Sequence, residues 1–168
     1  IETNRVTTYG ELNDLADRFA QVLLWRGVRT GDRVVIALEN CAEFVACYFG
    51  VMKAGGCAVP LAPGARSDRL GKAIDDCQPA ACLTDWETVC LAPLAESLGR
   101  VPAVLVHQPR GRALRAARRA VVPFEDLKTA VQGTPGGTAG VRLIDQDLAA
   151  IIYTSGSTGE PRGAMLLH

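Results

Sequence analysis

The stretch Leu148-Ala149-Ala150-Ile151-Ile152-Tyr153-Thr154-Ser155-Gly156-Ser157-Thr158-Gly159-Glu160-Pro161-Arg162-Gly163 decides how the rest of the chain is read. Its opening run, LAAIIYT, has the length of a buried strand and falls short of a helix. A strand that is apolar on both faces belongs to a parallel sheet covered by helices on both sides. The run passes into a loop with hydroxyls at Thr154, Ser155, Ser157 and Thr158, glycines at Gly156, Gly159 and Gly163, and a cation at Arg162. By composition it is a phosphate cradle. Glycines let backbone N–H groups approach an anion, hydroxyls donate to its oxygens, and a guanidinium offsets its charge with a two-pronged fork. Open parallel sheets bind ligands beyond the carboxyl ends of their strands, where this loop falls. A Ser/Gly linker shares the composition, but it explains neither the buried strand before the loop nor the apolar Ala164–Leu167 after it. The glycine spacing is not that of a Walker A loop, since no Lys-Ser or Lys-Thr comes after it. Without a G-x-S-x-G, Ser155 and Ser157 do not read as hydrolase nucleophiles, and His168 reads as structural.

Working back from this stretch, helical and strand-like patterns alternate. Thr8 and Glu11 form a capping box ahead of Leu12, Leu15, Ala16, Phe19, Val22 and Leu23 at helical spacing, with Gly27 closing the helix. Arg33–Leu38 reads as a buried strand, and Asn40 with Glu43 as the cap of a second helix through Lys53, ended by Gly55 and Gly56. Cys57–Leu61 reads as a strand, Ser67 or Asp68 caps a helix to Cys77, Ala80–Thr84 is a strand, and Asp85 caps a helix at Trp86. Val101–His107 is a further strand. The expectation is an α/β fold: a mostly parallel sheet with helices on both faces. Residues 108–147 read as a surface excursion, with a short helix near Phe124–Val131 and a Gly/Thr/Pro stretch at Gln132–Gly140.

Composition narrows the function classes. The chain has 168 residues, 48% hydrophobic and 21% charged, which suits one globular domain with a real core. Eighteen basic residues balance eighteen acidic ones, so no global field draws a polyanion, and any anion site must be local. The arginines between Arg110 and Arg119 have no interleaved aromatics and read as a solvated face, so no nucleic-acid partner is expected. Six cysteines form no C-x-x-C pair and sit among small apolar residues. They read as buried reduced thiols, with no metal site, and point to the cytoplasm. The most apolar stretch, Phe44–Ala62, is broken by Lys53, Gly55, Gly56 and Pro60, so no membrane span is expected. No signal peptide is visible, and the opening at Ile1 reads as internal to a longer chain.

Residues 153–163, YTSGSTGEPRG, resemble the signature phosphate loop of the adenylate-forming superfamily, which includes acyl-CoA synthetases, luciferases and the adenylation domains of nonribosomal peptide synthetases. TTYGELNDLADRFAQVL at 7–23 resembles the family's opening helix, and VMKAGGCAVPLAP at 51–63 its helix, glycine turn and strand. The resemblance implies that residues 1–168 are the N-terminal portion of the large domain of an AMP-binding enzyme, with the C-terminal domain and the catalytic residues downstream. It implies ATP with Mg2+, a small-molecule carboxylic acid, and a thiol acceptor, coenzyme A or phosphopantetheine. Thr154, Ser155, Gly156, Ser157, Thr158, Gly159, Arg162 and Gly163 would hold the ATP phosphates. Arg162 stands where the signature usually has Lys. AGGCAVPLAP looks closer to the acyl-CoA synthetase branch, with its link to fatty-acid metabolism, than to amino-acid activators. The other readings are a noncatalytic remnant or interaction module, an amino-acid adenylation domain of a peptide synthetase, and a phosphotransferase whose magnesium-binding carboxylate would be Asp85. A fragment of such a domain would be inactive alone and prone to self-association through uncovered sheet.

Overall fold

A computed structural model describes residues 6–63, 67–107, 120–155 and 161–168. Its spine is a seven-stranded sheet of order β5-β4-β3-β1-β2-β6-β7. The strands are β1 (Arg33–Ala37), β2 (Cys57–Pro60), β3 (Ala81–Asp85), β4 (Ala103–His107), β5 (Glu125–Asp126), β6 (Leu148–Ser155) and β7 (Pro161–Leu167). All neighbours pair in parallel except β6 and β7, which are antiparallel. The expected mostly parallel α/β sheet is therefore present. Its antiparallel edge was not legible, because the apolar run Ala164–Leu167 carries no sign of direction.

Helices cover both faces. On one side α1 (Tyr9–Trp25), α2 (Ala42–Lys53) and α6 (Leu127–Gln132) enclose a core of Phe19, Leu23, Val34, Ile36, Val51, Leu83 and Leu105. On the other, α3 (Ser67–Cys77), α4 (Trp86–Val89) and α5 (Ala95–Gly99) enclose Val35, Val59, Leu70, Ile74, Leu94 and Leu98. Adjacent strand residues face opposite cores, as Val34 and Val35 do, which is why the strands read as continuous apolar runs.

Local chemistry sets the helix starts. Glu11 N donates to Thr8 Oγ1 at 3.2 Å and Thr8 N to Glu11 Oε2 at 2.8 Å, completing the capping box. Asp85 ends β3 and starts α4, its Oδ1 accepting from Thr88 N at 2.7 Å. The α2 cap departs from expectation: it is Cys41, not Asn40. Cys41 has the extended backbone a cap requires, and its Sγ accepts from Phe44 N at 3.4 Å. A thiol is a weak acceptor, so the sequence pointed one residue too early. The Phe124–Val131 segment divides into β5 and α6, with Asp126 capping α6 through a 2.8 Å bond from Thr129 N. Beyond it the chain lies against α1, where Arg18 Nη1 donates to Thr134 O at 2.9 Å and Gln21 Nε2 to Thr138 O at 3.3 Å. The arginine-rich run at 110–119 lies outside the described residues.

Cys47, Cys57, Cys77 and Cys82 are buried, and Cys41 and Cys90 half-buried. Burial pushes the Cys77 and Cys82 thiols up to about 12 from an ordinary 9.0. Between those values the unfolded chain loses protons that the folded one keeps, so stability falls as pH rises through this window. The expected result is a thermal midpoint that declines from pH 9 toward 12, less steeply in Cys82→Ala. An alkaline melting series checks it, and a flat profile contradicts it.

Candidate functional site

Because β1, β2, β3, β4 and β6 run in parallel, Ala37, Pro60, Asp85, His107 and Ser155 end on one edge of the sheet. A cleft of ≈360 Å³ opens there, lined by Leu38, Glu39, Asn40, Phe44, Pro60 and Leu61, beside the strand that leads into Thr154. Tight strand pairing surrounds it. Thr84 Oγ1 donates to Ala37 O at 3.3 Å, locking β3 to β1 at that edge.

The β6–β7 register sets the geometry of the hydroxyl and the cation. Ile151 faces Met165, Ile152 faces Ala164, Tyr153 faces Gly163, Thr154 faces Arg162 and Ser155 faces Pro161. Directly opposed residues of an antiparallel pair share a sheet face. Thr154 and Arg162 therefore stand side by side on one face of the hairpin, both exposed. Gly156, Ser157, Thr158 and Gly159 lie outside the described residues, as does the side chain of Ser155.

Gly163 has a second reason to be glycine. A Cβ there would stand 2.6 Å from Ile151 Cγ2 and 3.5 Å from Tyr153 Cζ, the first well inside contact distance. The sequence suggested only backbone approach to an anion; the structure adds that β7 must pass under Ile151 and the Tyr153 ring. Tyr153 was not singled out by the sequence. Its ring packs against the α3-side core and its Oη donates to Asp76 Oδ2 near the end of α3. Burial, followed by that bond, pushes the Tyr153 phenol up, so it remains a donor at neutral pH. A polar residue that closes an apolar run is hard to assign a partner from sequence when the partner is 77 positions away.

Asp85, at the end of β3, is used as a helix cap, its Oδ1 accepting from Thr88 N. Among the described residues no group of three His, Cys, Asp or Glu side chains is placed to hold a metal ion. Among them too, no helix is long and apolar enough to cross a membrane.

The described strands thus form a mostly parallel α/β sheet whose carboxyl ends share one edge, with Thr154 and Arg162 paired there. The chain belongs to the AMP-binding enzyme family, whose model matches residues 1–168. Tyrocidine synthase 3 of Brevibacillus parabrevis is 35% identical over 96% of this chain and 2% of its own length. The dimodular nonribosomal peptide synthase of Bacillus subtilis is 31% identical over 98% of this chain and 6% of its own. Among solved structures, ATP-bound MatB from Rhodopseudomonas palustris superposes with a TM-score of 0.77 at 30% identity, covering 99% of this chain and 31% of that one. The chain thus spans a small fraction of the proteins it resembles, whose names include both peptide synthases and acyl-CoA synthetases.

Proposed function

We propose that this chain supplies the phosphate-gripping part of an ATP-dependent, AMP-forming acid:thiol ligase. A carboxylate oxygen bonds to the α-phosphorus of ATP as the bond to the β-phosphate bridge breaks, and pyrophosphate leaves with the electron pair. The thiol, coenzyme A or phosphopantetheine, then attacks the acyl carbon, AMP departs, and the thiol proton passes to a base. The hydroxyls of Thr154, Ser155, Ser157 and Thr158, the amides at Gly156, Gly159 and Gly163, and the Arg162 guanidinium would hold the β- and γ-phosphates and stabilise charge on departing pyrophosphate. None of them forms a covalent bond. Mg2+ enters as the partner of ATP. The observation that carries this reading is the direct opposition of Thr154 and Arg162 at the edge where parallel sheets bind ligands. Arg in place of the usual Lys keeps the charge but exchanges a mobile point charge for a planar fork.

Amino-acid activation for peptide synthesis is a second reading of the same chemistry, favoured by the similarity to two peptide-synthesising enzymes at 31% and 35% identity. Pyrophosphate exchange in the intact protein, driven either by amino acids or by other carboxylic acids, separates the two. For the shared reading, calorimetric titration of the chain with pyrophosphate should show binding. Arg162→Ala should weaken it at least about tenfold, the scale of removing one charge-assisted hydrogen bond. Equal affinity of Arg162→Ala and the unsubstituted chain would remove the basis of the assignment.

A further inference from the structure

We infer that Tyr153 is a positioning residue: its bond to Asp76 pins the projecting part of the β6–β7 hairpin and thereby fixes where Thr154 and Arg162 meet a polyphosphate. The role builds on the phosphate-gripping function proposed above. Among the described residues, β6 is registered to β2 at one pair only, Ala58 with Ala150. From Ile151 to Ser155 it is laddered to β7 alone. A two-stranded ribbon is marginally stable by itself, and β7 is the outer strand of the sheet, with Met165, Leu166 and Leu167 exposed. Where the hairpin extends past its registered pairing with β2, side-chain anchors add to the backbone in setting its direction. Ile152 packs on the α1–α2 side; Ile151 and Tyr153 pack on the α3 side.

Of these anchors, Tyr153 alone adds a directional polar bond, to Asp76 Oδ2. It is also the anchor immediately before Thr154, and its ring lies 3.5 Å from where a Cβ of the facing Gly163 would be. A rotation of the hairpin about its apolar anchors would carry Thr154 and Arg162 with it. Fixing α3 to the hairpin one residue before the hydroxyl removes that freedom before a ligand arrives, which is how preorganisation raises affinity. Asp76 is exposed and anionic, so its effect through the tether opposes its effect as a bare charge: a tether aids polyphosphate binding, whereas an untethered carboxylate repels it.

That opposition makes the test decisive. Pyrophosphate affinity of the 168-residue chain is measured by calorimetry well below the thermal midpoint, alongside the midpoint itself, for Tyr153→Phe, Asp76→Ala, Asp76→Asn and Tyr153→Phe/Asp76→Ala. Tyr153→Phe and Asp76→Ala should each weaken binding about three- to tenfold, the range of one ordinary hydrogen bond, because the tether acts on the ligand only through Thr154 and Arg162. The double variant should be no worse than either single one. Asp76→Asn keeps an acceptor oxygen and should restore most of the loss. Lowered midpoints with unchanged affinity, or tighter binding by Asp76→Ala, overturn the positioning role while leaving the phosphate site intact. If Arg162→Ala also binds as the unsubstituted chain does, or the unsubstituted chain binds no pyrophosphate, both the site and its tether fall.

Discussion

Gly50→Val should leave the chain largely unfolded at room temperature, and Gly50→Ala should lower its thermal midpoint by about 4–8 °C, equivalent to about 2 kcal/mol in a domain of this size. Gly50 is buried in α2 where that helix crosses α1. A Cβ there would stand 2.7 Å from Phe19 Cβ and 2.9 Å from the Ala16 carbonyl oxygen. Neither obstacle is the far end of a flexible side chain, so α1 as a whole must move away. Alanine brings about 1 kcal/mol of helix propensity, which offsets part of the strain. Valine adds two methyl groups at the same crossing and nothing to offset them. The separation matters beyond α1, because Phe19, Val51 and Ala46 share one core with Val34 and Ile36 of the central strand. Thermal melts followed by circular dichroism check this. An alanine variant as stable as the parent would mean that α1 and α2 do not meet at Gly50.

Most of this sheet could be read from the sequence because its cause is local. Runs such as Arg33–Leu38 and Leu148–Thr154 are apolar almost throughout, and only a doubly covered parallel strand needs that. Thr8 with Glu11, and Asp85 before Trp86, announce helix starts through bonds made within three residues. What escaped depends on contacts between distant parts of the chain. Gly50 carries no mark that distinguishes a helix crossing from an indifferent glycine, because the obstacle belongs to Phe19 and Ala16. Cys41 was passed over as a cap because its thiol competes poorly with the neighbouring Asn40 amide in any ranking of acceptors. The edge pairing of β7 with β6 reverses the chain direction that the preceding strands establish. For the candidate site, the sequence marked Thr154, Arg162 and Gly163 as a group. It was silent on the register that opposes Thr154 to Arg162 and on the Tyr153–Asp76 bond beside them.

Gly163 therefore has two explanations that the sequence alone could not separate, and a rescue experiment distinguishes them. If the glycine serves packing, Gly163→Val forces β7 away from Ile151, next to the Thr154–Arg162 pair, and should weaken pyrophosphate binding by about tenfold or more. Ile151 is β-branched and seated against the α3-side core, so it cannot yield by a simple rotation. Trimming it should make the room that the added Cβ needs: Gly163→Ala should bind weakly, and Gly163→Ala combined with Ile151→Ala should recover much of the affinity. Ile151→Ala alone removes partly buried apolar area and should lower the thermal midpoint by a few degrees, about 1 kcal/mol. If the glycine is needed because its backbone approaches a phosphate, emptying the space at Ile151 changes nothing and the double variant stays as weak as Gly163→Ala. The two sites touch, so their effects should be non-additive under the packing explanation and additive under the other. Calorimetry on the four chains decides it, with the sign of the coupling as the readout: recovery assigns Gly163 to the architecture that presents Thr154 and Arg162, and additivity returns it to the ligand.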